Sequence, residues 1–306
     1  MARLKLTIWL RELRAPFFTA SIVPVLVGTA AAFAATGTFQ PMLFLLALSA
    51  IVCLHAGANM ANDYFDHASG NDPLNTNPTA FSGGSRLIQQ QLLSPRAVLT
   101  AALVALALGA AIGCVLVLLT KSVFILALGL AGLFGGYFYT AGPLRLGYRT
   151  AGELVIALLF GVLPVCGAYY LQTHRLAPAA LWSGSLIGLL IFLVILVNEF
   201  PDADADRAAG KKTLVVLLGQ KRAAHLYKTL LVAGYALAGL SLFVLSDAAV
   251  AAALYLLTLP IALVALKQLN RDIHTGGSTI NRITILLHLA AGLMLTAGFL
   301  LSPLLP

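Results

Sequence analysis

Asn198-Glu-Phe-Pro-Asp202-Ala-Asp204-Ala-Asp206-Arg-Ala-Ala-Gly210-Lys211-Lys212-Thr213 closes an apolar run at 180–199 and gathers four of the chain's 11 acidic residues. If the helix carrying Val194 to Val197 continues through it, Asn198, Asp202 and Asp206 stand at i, i+4 and i+8 on one face, where their oxygens converge. Asp204 then points about 160° away from each Asp of that face, at roughly 100° per residue. Two or three such oxygens are too few to cage Ca2+. They suit Mg2+, which keeps waters and takes its remaining ligands from substrate phosphates. The alternative is a solvated helix end whose charges merely face water.

A second stretch favours the cation. Asn59-Met-Ala-Asn62-Asp63-Tyr64-Phe65-Asp66-His-Ala-Ser-Gly70-Asn71-Asp72 also directly follows an apolar run, and Asn62 and Asp66 repeat the i, i+4 step. Both stretches close the second helix of a hairpin, and an even number of apolar runs between them returns both to one membrane face. Two facing carboxylate clusters can hold more than one divalent ion. A diphosphate bridged between them becomes a leaving group under strong electrostatic pull.

The whole chain supports a membrane setting. Of its 306 residues 60% are hydrophobic and 10% charged, where a soluble domain carries about 25% charged residues. Nine apolar runs approach the length needed to cross ~30 Å of hydrocarbon: about 16–36, 41–61, 97–119, 122–141, 152–171, 180–199, 223–245, 248–267 and 280–302. The expected fold is all-α, a polytopic membrane helical bundle of about nine transmembrane helices forming a single domain over 1–306. Before the first run, Leu4, Leu6, Ile8, Trp9, Leu10 and Leu13 alternate with Lys5, Arg11 and Arg14, the pattern of a short interfacial helix. The first run is too long for the ~7–15-residue core of a signal peptide, so it reads as an uncleaved span. Cys53, Cys114 and Cys166 lack CxxC spacing and read as small buried hydrophobes, neither disulfides nor zinc ligands.

Loop charge sets the orientation. Of 19 Lys and Arg residues only Lys121 and Arg175 fall opposite the N-terminus, and basic residues accumulate on the cytoplasmic side. That places the N-terminus and both acidic stretches in the cytoplasm, at the inner membrane, with the C-terminus outside. The +8 net charge is then a property of the inner leaflet, with no implication of nucleic acid.

Between the stretches lies the long loop 70–95, containing Phe81-Ser-Gly83-Gly84-Ser85-Arg86. Its length suggests a lid. Its glycine-rich N–H groups and Arg86 are candidates for phosphate contact, against an ordinary turn. Tyr139 and Thr140 end a helix where Tyr also serves as an interface anchor, and Tyr148 reads as such an anchor. Glu153 opens the next helix, where the dipole favours a negative charge. Gly210-Lys211-Lys212-Thr213 lacks the first glycine and strand of a P-loop, which excludes an NTPase; it leaves Lys211 and Lys212 near Asp202 and Asp206 to meet a diphosphate.

At these positions the chain resembles the UbiA superfamily of membrane-embedded prenyltransferases over nearly its whole length. The first family motif is met by Asn62, Asp63, Tyr64, Asp66, Gly70 and Asp72, the second by Asp202, Asp206, Ala209, Gly210, Lys211, Thr213 and Leu214. The elements between are met by Tyr139, Thr140, Gly142, Pro143, Gly152 and Glu153. Within the superfamily the chain looks most like the branch that prenylates 1,4-dihydroxy-2-naphthoate in menaquinone biosynthesis. Pro201 and Glu199 stand where that branch usually has Arg and often Asn.

The resemblance implies Mg2+ held by Asn62, Asp66, Asp72, Asp202 and Asp206. It implies a polyprenyl diphosphate donor contacted by Arg86, Lys211, Asn62 and Asn198, and an aromatic acid acceptor. Asp66, Asp202, Asp206 and Tyr139 would be catalytic, Tyr139 flanking an allylic cation. The competing readings are a prenyltransferase for a hydroxybenzoate or homogentisate type of acceptor, and a cation-coupled transporter, whose acids would sit at mid-membrane on broken helices. The orientation is checked with reporter fusions: one after Gly219 is expected to read cytoplasmic and one after Pro306 external, and readings on the same side would refute it.

Overall fold

The computed structural model describes residues 2–75, 79, 81–275 and 277–304, with the side chains of 2–5, 274 and 275 outside the description. Leu4 and Lys5 of the interfacial pattern, and Pro306 at the C-terminus, therefore lie outside what is described. The described residues form helices and no strand. The amphipathic segment is α1 (Ala2–Glu12), followed by a 3-10 turn at Ala15–Phe18, α2 (Thr19–Thr36), α3 (Pro41–Ala68) and a single turn α4 (Asn71–Leu74). Then come α5 (Pro95–Thr120), α6 (Val123–Tyr137) and α7 (Gly152–Ala157), which passes through a π-helical turn at Leu158–Val162 into α8 (Leu163–Thr173). The remainder is α9 (Pro178–Ala208), a short α10 (Leu214–Leu218), α11 (Gln220–Val244), α12 (Ala249–Leu256), α13 (Leu259–Thr275) and α14 (Thr279–Leu301).

Local sequence accounts for the ends. Pro41, Pro95 and Pro178 occupy first turns, where the missing N–H costs nothing. The hydroxyls of Ser94 and Ser122 accept from the N–H groups of Ala97 and Ile125, the usual N-cap bond.

Among the described residues seven helices are long and apolar enough to cross a membrane, and Ser246–Leu256 with Leu259–Ile273, bent by 51°, makes an eighth if the pair is one span. The apolar run at 122–141 forms a helix of 15 residues, α6, about 22 Å long and short of the ~30 Å layer. The expected count of nine is thus approximate, while the all-helical membrane bundle stands.

The axis of the bundle is α9. Of its apolar window 72% is buried, against 22% in α5, so α9 is walled by neighbours while α5 faces outward. Its Leu186, Ile187, Leu190, Leu193 and Leu196 are fully buried and pack with α2, α11 and α14 in the main apolar core. Lipid offers as apolar a surrounding as leucine, so helices in a membrane associate through close packing of small residues. A Cβ on Gly161, in the π-helical turn, would sit 2.2 Å from the Gly188 Cα of α9, and one on Gly188 would meet the Ala157 carbonyl oxygen at 2.9 Å. Backbone meets backbone there. Gly57 of α3 and Gly109 of α5 receive Leu106 and Leu54 reciprocally, at 2.6 and 2.8 Å from the missing Cβ atoms.

This crossing yields a prediction. Gly161→Ala forces α7 and α8 off α9 and is expected to cost about 1–3 kcal/mol, visible as a lowered melting temperature in detergent. Gly239→Ala on α11, where a Cβ meets nothing within 4 Å, is expected to leave the melt unchanged or raise it slightly. Equal melts for the two variants would refute the close crossing.

Candidate active site

Length brings the acidic stretches out of the apolar layer. α9 has 31 residues, about 46 Å at 1.5 Å each, so its last turns run on past ~30 Å of hydrocarbon. α3, with 28 residues, overshoots in the same way. The helix of α9 does continue through 198–208, with Pro201 inside it. Asn198, Asp202 and Asp206 accordingly share the face that lines a cavity of about 230 Å³. Asp204 points away, fully exposed, and pairs with Arg207 at 2.9 Å.

The opposite wall of that cavity comes from α3 and α4, with Asn62, Asp66, Asn71 and Asp72, and the floor carries Tyr139, Thr140 and Lys211. The two acidic stretches therefore meet. Their meeting point is the ammonium of Lys211, 2.9 Å from Asp66 Oδ2 and 3.6 Å from Asp206 Oδ1. Burial alone would lower the Lys211 pKa, but the carboxylates of Asp66 and Asp206 outweigh it and hold the ammonium well above its ordinary value. Tyr148 completes this knot: its hydroxyl donates to Asp66 Oδ1 at 2.8 Å, and its ring lies 4.8 Å from Lys211 Nζ, a cation–π distance.

Asn62 Nδ2 donates to Asp66 Oδ2 at 3.3 Å, and Asn75 Nδ2 donates to Asp202 Oδ1 at 2.8 Å. Asn198 Oδ1 accepts from Asn281 of α14 at 2.8 Å. The ring of Tyr139 rests where Gly147 has no side chain, since a Cβ on Gly147 would meet it at 2.7 Å.

The cavity wall holds Asp66, Asp72, Asp202, Asp206 and Glu199 against Arg14 and Lys211. That excess of negative charge is expensive. Burial, and then the carboxylates of Asp66 and Asp63, push the Asp72 carboxyl up to about 8 against the pull of Lys211 and Arg86. Among the described residues no three acidic, histidine or cysteine side chains are gathered closely enough to hold a metal by themselves. Paired carboxylates with amide oxygens beside them are instead a donor set for Mg2+, which keeps waters and phosphate oxygens in its shell. The residues present fit that ion.

A second cavity, of about 480 Å³ and lined almost wholly by apolar side chains of α3, α5, α6 and α8, adjoins the first. His55, Ala58, Gly136 and Phe160 line both.

Several expectations need correction. Arg86 does not line the cavity; its guanidinium bonds the Asp72 backbone carbonyl from behind. The glycine-rich N–H groups are partly spent, because Ser85 N–H donates to Asp63 Oδ2 at 2.9 Å and Gly83 N–H to Asp202. Lys212 is exposed, so a single ammonium of the pair enters the site. Tyr148 is bonded to a cluster carboxylate and is no mere interface anchor. Glu153, 1% exposed, accepts from Leu214 N–H at 2.6 Å; it caps α10 and so fixes the Lys211 loop, beyond any favour from its own helix dipole. Residues that the motifs did not single out also stand here. Arg14 and Asn71 line the cavity, and Glu12 is buried next to it. For Arg14 and Glu12 the available signal was a charged pair closing an amphipathic helix, which reads equally well as surface.

Comparison with known proteins bears on this geometry. Residues 21–284 match the model of the UbiA prenyltransferase family. The 1,4-dihydroxy-2-naphthoate octaprenyltransferase of Mycobacterium tuberculosis is 37% identical over 256 residues, 83% of each chain. The enzyme of that name from Escherichia coli is 33% identical over 223 residues, 73% of this chain and 72% of its own. A UbiA homologue from Archaeoglobus fulgidus, solved bound to GPP and Mg2+, superposes with a TM-score of 0.61 at 18% identity over 95% of this chain and 99% of its own. With its acids gathered at one end of an unbroken α9 rather than at mid-membrane, and with these likenesses across its length, the chain belongs to the UbiA prenyltransferase family and is a membrane-embedded polyprenyl-transferring enzyme.

Proposed function

We propose that the protein transfers a polyprenyl chain from its diphosphate to 1,4-dihydroxy-2-naphthoate, with loss of the acceptor's carboxylate as CO2 and formation of a demethylmenaquinone in its reduced, quinol form. The reaction is placed at the cytoplasmic face of the inner membrane. The observation that carries the reading is the junction of two cavities, one charged and one apolar, with both carboxylate clusters on the charged side. The names of the M. tuberculosis and E. coli relatives support the acceptor, as does that of a 2-carboxy-1,4-naphthoquinone phytyltransferase from Synechocystis, 27% identical over 298 residues.

A diphosphate is an anion, and an anion-lined cavity repels it unless cations intervene. Asn62, Asp66, Asp72, Asp202 and Asp206 would hold Mg2+, whose bound charge would neutralise the diphosphate and make it a better leaving group. Lys211, already seated between Asp66 and Asp206, adds a fixed ammonium for the charge that develops on the departing oxygen. The tail comes from lipid and gains little by entering another apolar space, so donor recognition rests on the diphosphate end. The C1–O bond breaks with its electron pair leaving on the diphosphate. Tyr139, on the cavity floor, offers a ring face to the allylic cation. The electron-rich acceptor ring then forms the new bond to C1, and release of CO2 restores aromaticity.

The test supplies purified protein in detergent with Mg2+, a labelled polyprenyl diphosphate and 1,4-dihydroxy-2-naphthoate labelled in its carboxylate. Labelled CO2 is expected in step with the prenylated product, and omission of the divalent ion is expected to abolish both. Prenylation of a hydroxybenzoate or homogentisate type of acceptor, with the naphthoate left untouched, would overturn the acceptor assignment.

A further inference from the structure

Glu12 ends α1, a helix whose composition suits the membrane surface, yet it is 0% exposed. Withdrawing a carboxylate from water is costly when it is poorly compensated, and nothing in a surface helix requires it. Its partner explains the burial. Ser85 Oγ donates to Glu12 Oε2 at 2.6 Å, while the Ser85 N–H donates to Asp63 Oδ2 at 2.9 Å. Ser85 is thus gripped from two elements, α1 and α3.

On either side of Ser85 the loop reaches both carboxylate clusters. Ser82 and Gly83 bond Asp202 of α9, and Arg86 bonds the carbonyl of Asp72. Gly84 packs directly on the acids, with its absent Cβ 3.0 Å from Asp72 Oδ2 and 3.1 Å from Asp63 Oδ1. A second bond to the loop comes from Arg14, two residues past the end of α1, whose guanidinium donates to the Phe81 carbonyl at 3.2 Å. The end of α1 therefore holds the loop 81–86 against the charged cavity, and the loop's own sequence supplies neither of these anchors.

We propose that Glu12 is a positioning residue for the donor diphosphate: through Ser85 it fixes the loop 82–86 over the carboxylates, so that the surface helix and the cover of the site act as one body. This rests on the reading of the charged cavity as the diphosphate site. The coupling itself is independent of that reading and is measured without substrate.

The experiment compares Glu12→Ala, Glu12→Gln, Ser85→Ala and the double alanine variant in the full-length protein. Hydrogen exchange of peptides covering 81–93 is followed without substrate, and KM for the prenyl diphosphate is measured separately from kcat. Glu12→Ala and Ser85→Ala are each expected to speed exchange and to raise the donor KM about tenfold, the scale of one lost charge-assisted hydrogen bond, with kcat changed far less. Glu12→Gln, whose amide oxygen still accepts from Ser85, is expected to restore both properties. The double variant should be no worse than either single one, because both remove the same bond. Unchanged exchange in Glu12→Ala, additive losses in the double variant, or a Glu12→Gln as impaired as Glu12→Ala would overturn the coupling. Faster exchange with an unaltered donor KM would overturn its link to the diphosphate.

Discussion

Carboxylates from α3 and α9 share one buried ammonium, and the charged end of the molecule depends on that shared contact. Eight of the 11 acidic residues are buried, and all of these but Asp272 lie in or beside the cavity. Like charges this crowded repel one another and are costly to desolvate. Lys211 relieves part of the cost, and the Asn and Tyr side chains around the acids relieve more. What remains is an excess of negative charge on the cavity wall. On the proposed function, that deficit of positive charge would select a metal-complexed diphosphate over the free anion.

The bundle converts this field into position. Two helices longer than the membrane is thick carry their acids just beyond the apolar layer. Glycine crossings such as Gly161 on Gly188 hold α9 in a fixed place at the centre. The apolar cavity opens beside the acids at His55 and Phe160, so a molecule with a lipid tail and a charged head finds both halves of its environment within one junction. Glu153 from α7 and Thr213, whose hydroxyl caps α10, fix the loop that delivers Lys211.

What was legible in the sequence follows from helical periodicity. Apolar runs gave the bundle, and the i, i+4 spacing placed Asp202 with Asp206 and set Asp204 outside. Contacts between segments distant in the chain were not legible. Tyr148 reaches Asp66 across 82 positions, and a Tyr near a membrane surface looks the same whether it bonds a carboxylate or faces headgroups. Lys211 and Lys212 are chemically alike, and only the course of the backbone after α9 sends one inward and the other out. Glu12 was not singled out, and the contact of Arg86 with the Asp72 carbonyl was not foreseen, for a related reason: a charged side chain carries no local mark of the distant partner it meets in the fold. The count of about nine spans is approximate because hydropathy registers neither the bend between α12 and α13 nor the short length of α6.

The central claim is that the two clusters form one cation site. Mn2+ in place of Mg2+ makes this measurable by electron paramagnetic resonance, titrating the protein in the presence of inorganic pyrophosphate. Neutralising either cluster, by Asp66→Asn on α3 or Asp206→Asn on α9, is predicted to weaken Mn2+ binding about tenfold or more, the scale of one lost charged ligand, while Asp204→Asn leaves it unchanged. Full binding by one cluster when the other is neutralised, or an equal loss in Asp204→Asn, would contradict it.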